Sequence, residues 1–84
     1  MNNKHRKTLQ AVCRSPVPKG MAWADLESLL IAAGASVTEG DGSRVKFDKD
    51  GVTVAFHRPH KPPTARAYQV ALAREFLESI GVQP

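Results

Sequence analysis

The sequence predicts an α+β fold, a small antiparallel three-stranded sheet with helices on one face. Three observations carry this expectation. Ser43 to Asp48 and Val52 to His57 each alternate apolar and polar residues, and Asp50-Gly51, a preferred hairpin-turn dipeptide, lies between them. Apolar residues at helical spacing precede and follow this pair. The chain has 84 residues, enough for a single domain whose sheet buries its apolar face most economically under helices.

The elements follow in order. Lys4 to Val12 predicts a short helix with Leu9, Val12 and Cys13 on one side. Ser15-Pro16-Val17-Pro18-Lys19-Gly20 ends it, because proline lacks an amide donor and restricts the residue before it. Residues 1–20 thus read as a basic helix and linker, and residues 21–84 as the core of the one domain. Trp23, Leu26, Leu29, Leu30 and Ala33 form an amphipathic helix face. Asp25 and Glu27 are expected in its first turn, where the helix dipole favours acids, and Gly34 at its C-terminal cap. A first strand is expected over Ala35 to Glu39, around Val37, followed by a turn at Gly40-Asp41-Gly42.

The hairpin register follows from the pattern. A two-residue Asp50-Gly51 loop sets Lys49 against Val52, Phe47 against Val54, Lys46 against Ala55, Val45 against Phe56 and Arg44 against His57. Apolar then meets apolar; a three-residue loop mixes the two faces. Thr64 is the expected N-cap of a last helix over Ala65 to Ile80, with Tyr68, Leu72, Phe76 and Ile80 as its main stripe, Ala73 and Leu77 beside them, and Gly81 as its end.

Size and composition exclude several classes. A chain this short holds no multi-domain enzyme. No apolar run approaches 18 residues, so no membrane-spanning helix is expected. The basic start Met1-Asn2-Asn3-Lys4-His5-Arg6-Lys7 lacks the apolar stretch of a secretory signal. The single cysteine, Cys13, excludes an internal disulfide framework and fits a reducing, cytoplasmic setting. The net charge of +4 is unevenly spread: residues 1–20 hold five cations and no acid, and residues 52–67 hold Arg58, Lys61 and Arg66 with no acid. Such clusters attract polyanions, although they also serve as ordinary solubilising surface.

The polar sheet face carries the candidate chemistry: Ser43, Arg44, Lys46, His57 and Arg58, with His60 and Lys61 nearby. Histidine titrates near neutrality and acts as base or acid, and arginine or lysine offsets charge on a phosphorane-like transition state. Together they suit metal-free cleavage of RNA through its own 2′-hydroxyl. A solvated face with incidental charges is the simpler reading of one Arg–His pair. Arg66 at the start of the last helix adds a phosphate-binding position. His57-x-x-His60 with a distant Cys13 makes a poor zinc site, and no metal or cofactor is expected. All five aromatic residues fall on apolar faces and read as core, which argues against single-strand readers built on exposed aromatics.

At this point the chain resembles the HicA toxins, small ribonucleases of HicAB toxin–antitoxin systems. Gly42-Ser43-Arg44-Val45-Lys46-Phe47 is similar to their Gly-Ser-His-His-x-Phe strand. Val52 to His60 resembles their third strand with its His-Pro exit, and Phe76-Leu77-Glu78-Ser79-Ile80-Gly81 their closing helix. The likeness covers about residues 21–81. It implies a fold similar to a double-stranded-RNA-binding domain, metal-independent cleavage of mRNA, and a HicB-like antitoxin as partner. Arg44 occupies the position of the family's catalytic histidine, and arginine stays protonated and cannot serve as a general base. The register offers His57 as the replacement, with Arg44 binding phosphate and His60 as second choice. Ser43, Lys46, Arg58, Lys61 and Arg66 are then the expected RNA contacts. A non-catalytic RNA-binding module, or a domain docking an acidic protein, are the alternatives.

Overall fold

The computed structural model describes residues 1–84. Its elements are α1 (Asn3–Val12), α2 (Trp23–Ala32), β1 (Ser36–Glu39), β2 (Arg44–Lys49), β3 (Val52–His57) and α3 (Ala67–Ser79). The strands form one antiparallel sheet in the order β1-β2-β3. No helix is long and apolar enough to cross a membrane.

The turn residues Asp50 and Gly51 have φ of 52° and 80°, the left-handed pair that a type I′ hairpin requires. This turn matches the right-handed twist of the strands and sets the β2–β3 register. Lys49 faces Val52, Phe47 faces Val54, Val45 faces Phe56 and Arg44 faces His57, as the alternation predicts. Val45, Phe47 and Phe56 are buried against the helices, whereas Arg44, Lys46, Thr53, Ala55 and His57 lie exposed on the opposite face. Phe56 sits edge-on to both Trp23 (centroids 5.2 Å apart) and Phe47 (5.9 Å), the geometry that the ring quadrupoles favour.

α2 ends as expected. Gly34, at φ 101°, lets the Gly34 amide donate to the Ile31 carbonyl and the Ala35 amide to that of Leu30. An added Cβ there would stand 3.0 Å from the Lys49 Nζ. Only Asp25 lies in the first turn of α2; Glu27 is two residues further on and has another task, described below.

The N-terminal helix is part of the same core. Leu9 and Val12 are buried with residues of α2, α3 and the sheet. Arg74 of α3 donates to the carbonyls of Val12 (2.8 Å) and Arg14 (2.6 Å), fastening the end of α1. His5 hydrogen-bonds to Ser28 (2.9 Å) and Lys4 pairs with Asp25 (3.2 Å), so α1 is held to α2 along its first turn.

Two expectations for the last helix are corrected. It begins at Ala67, with Arg66 at the N-cap, because Thr64 is taken up elsewhere. Pro63 to Ala65 pairs with Met21 to Trp23: Thr64 bridges Ala22, the Ala65 amide donates to the Met21 carbonyl (2.7 Å), and the Trp23 amide donates to that of Pro63 (3.0 Å). The buried stripe is Gln69, Val70, Ala73, Phe76 and Leu77, and Tyr68 is 61% exposed. Tyr68 and Leu72 sit at the margin of the stripe, and packing against β3, α1 and α2 selects the adjacent one.

Phe47 has no solvent exposure and contacts the centre of the core, so Phe47→Ala should cost about 3–5 kcal/mol in urea unfolding. Tyr68→Ala should change stability by no more than about 0.5 kcal/mol. Equal losses at the two sites would contradict the observed orientation of α3.

Candidate nucleic-acid interface on the open sheet face

The register arranges the open face in rows. Arg44 lies opposite His57 at one end of the sheet. Lys46 lies between Thr38 and Ala55 in the middle, and Asp48 between Ser36 and Thr53 at the other end. The Thr53 hydroxyl donates to the Asp48 carboxylate, which occupies the one acid of these rows. Directly opposed side chains have Cβ atoms about 4.5–5.5 Å apart, so Arg44 and His57 can share one phosphate group. Small neighbours leave the long basic side chains accessible. A groove of ≈ 360 Å³ opens beside them, lined by Thr38, Glu39, Gly40, Asp41, Arg44 and Lys46.

The His57 imidazole makes no hydrogen bond within the protein, but its carbonyl accepts from Gln69 Nε2 (2.9 Å). Gln69 Oε1 in turn accepts from the Arg66 amide (2.9 Å). Gln69 is the only buried polar residue and both ends of its amide are satisfied, as burial demands. It ties the end of β3 to the N-terminus of α3, which brings exposed Arg66 next to the His57 end of the sheet. Sequence reading missed it, although a glutamine three residues into a helix is a recognised capping signal.

Arg58 does not belong to this face. The Arg58 amide donates to the Ser43 carbonyl (2.9 Å), extending the ladder one residue past β3, and alternation turns the side chain toward the helices. There it forms paired bonds with two carboxylates. Nε and Nη2 donate to Glu27 (2.8 and 3.0 Å), and Nη1 and Nη2 donate to Glu39 (2.6 and 2.9 Å). Glu27 also accepts from the Trp23 indole (2.7 Å). The expected RNA contact at Arg58 is therefore replaced by a structural clamp joining α2, β1 and the exit of β3. The hydrogen bonds from Arg58 hold the Glu39 carboxyl below its ordinary value of 4.5, and those of Glu39 and Glu27 raise the guanidinium pKa further.

His60 and Lys61 are exposed in the connector, where neither makes a side-chain hydrogen bond or ion pair, and no contact aims His60 at the Arg44–His57 pair. Ser43 contributes its carbonyl to the ladder and is half-buried. No group of three His, Cys, Asp or Glu side chains stands close enough to hold a metal ion. Among the aromatic residues only Tyr68 is exposed; the other four are core, as expected. No protein-family model matches the chain, and neither a curated protein nor a solved structure does.

Truncating Arg58 leaves Glu27, only 21% exposed, without its charged donor. Arg58→Ala should lower unfolding stability by about 2 kcal/mol. The lowered folded-state pKa of Glu39 means its contribution is present above 4.5 and is lost as pH falls through the folded value. Glu39→Gln should therefore flatten the acid limb of the stability–pH curve; an unchanged limb would remove Glu39 from that role.

Proposed function

We propose that this protein binds RNA on the open face of its sheet and cleaves it through the 2′-hydroxyl, as a HicA-like toxin restrained by a HicB-like antitoxin. The observation that carries the reading is Arg44 directly opposite His57 on a solvent-facing sheet, with Lys46 one row away. The order α2-β1-β2-β3-α3, with the helices on one face, supports likeness to a double-stranded-RNA-binding domain.

The chemistry needs two tasks done. His57, as neutral imidazole, takes the 2′-hydroxyl proton; O2′ attacks phosphorus; the 5′-oxygen leaves and takes a proton from water. The products are a 2′,3′-cyclic phosphate and a 5′-hydroxyl. Arg44 and Lys46 face the non-bridging oxygens and offset the charge that builds there. Arginine at position 44 suits phosphate binding, because its fork of donors matches two oxygens at once. Arg66 and Lys61 extend the backbone contacts beyond the sheet end.

Binding without cleavage is the second reading, and one feature favours it. The His57 ring has no partner to fix its tautomer, whereas general bases are ordinarily oriented by a second group. Induced expression separates the two. Wild type should arrest growth and yield fragments with cyclic-phosphate and 5′-hydroxyl ends, and His57→Ala should reduce cleavage by about 100-fold or more. Arg44→Ala should weaken RNA binding and slow cleavage together. RNA binding with no fragments from wild type would establish the second reading, and cleavage retained in His57→Ala would exclude the proposed base.

A further inference from the structure

We propose that the RNA path does not end at the sheet but crosses the Met21–Ala65 junction into a lysine-lined groove beside α1, where Lys7 and Lys19 contact backbone phosphates. This rests on the RNA-binding reading above and extends it to a second surface. The two basic segments of the chain, residues 1–20 and 52–67, are far apart in sequence. The fold stitches them together. Gln69 joins His57 to Arg66, and the residue before Arg66, Ala65, donates its amide to Met21. Met21 lines a groove of ≈ 350 Å³ formed by α1 and Pro18 to Met21, which also presents Lys4, Lys7 and Lys19. Backbone and hydrogen bonds thus link the His57 end of the sheet, through Arg66 and Ala65, to Met21 in the wall of the α1 groove.

The groove is suited to a polyanion. Its one acid, Asp25, is neutralised by Lys4 at 3.2 Å, while Lys7 and Lys19 are exposed and have no intramolecular partner. The walls are fixed before anything binds: Arg74 holds the end of α1, His5 and Lys4 hold its start, and Pro18 restricts the opposite side. A small anion would need convergent, enclosed donors. Separated, solvated lysines match the repeating charge of a phosphodiester chain.

The test uses the full chain and a fluorescein-labelled RNA hairpin, with affinity followed by polarisation across a salt series. Each lysine–phosphate contact removed should lower the slope of log K against log salt by about 1. Lys7→Gln/Lys19→Gln should therefore lower it by about 2, with an unchanged melting temperature, and Lys7→Arg/Lys19→Arg should restore it. Lys46→Gln reports separately on the sheet face. If wild type binds, Lys46→Gln lowers the slope and Lys7→Gln/Lys19→Gln leaves it unchanged, the second surface is overturned and the sheet interface stands. If wild type does not bind the hairpin, the RNA reading itself fails and the extension fails with it.

Discussion

The two-residue turn at Asp50-Gly51 decides what lies on each side of the sheet. Side chains alternate along a strand, so a slip of one residue between β2 and β3 would move Phe47 and Val45 to solvent and bring Arg44 and Lys46 under the helices. The left-handed backbone at both turn residues holds the register that avoids this. The core and the candidate interface are therefore two consequences of one constraint. Phe47, Phe56 and Trp23 pack edge to face on the inner side because Arg44, Lys46 and His57 are aligned on the outer side.

A core of this size leaves little margin, and polar groups complete it. Gln69 closes the gap between β3 and α3 without leaving a buried donor or acceptor unmet. The Arg58 clamp joins three elements through two carboxylates; its Glu27 arm is largely shielded and so less screened than an ordinary surface ion pair, whereas the Glu39 arm is open to solvent. Arg74 does comparable work at the other end by binding backbone carbonyls of the α1 exit. The arginines and lysines of the sheet and of α3 thus differ in role. Arg58 and Arg74 hold the fold together, whereas Arg44, Lys46, Lys61 and Arg66 carry charge toward solvent.

That division explains what could be read from the sequence and what could not. The β2–β3 register was legible because a period of two and a turn dipeptide each specify it locally. α1, α2 and the Gly34 cap were legible for the same reason. The α3 orientation was less so: Tyr68, Val70, Leu72, Ala73, Phe76 and Leu77 spread over more than one stripe, and the packing partner chooses among them. The late start of α3 depends on pairing between Thr64 and Ala22, a contact with no local signature. Arg58 was not legible, because it lies just past His57, the last residue of the alternating pattern. One further ladder bond, from its amide to Ser43, sends it to the helix side.

The structure also bears on how such a surface would discriminate among RNAs. Base-stacking readers present several aromatic rings in succession, and here Trp23, Phe47, Phe56 and Phe76 are all core. Tyr68 stands alone, two residues beyond Arg66. The open face instead offers charge, hydroxyls and small side chains in regular rows. Were RNA bound there as proposed, such a face would contact phosphates and 2′-hydroxyls, which report the shape of the backbone and not the identity of the bases. Recognition would then select RNA conformation first. Any sequence preference in cleavage would come from which 2′-hydroxyl the bound shape delivers to His57, since that ring is held only by the strand that carries it.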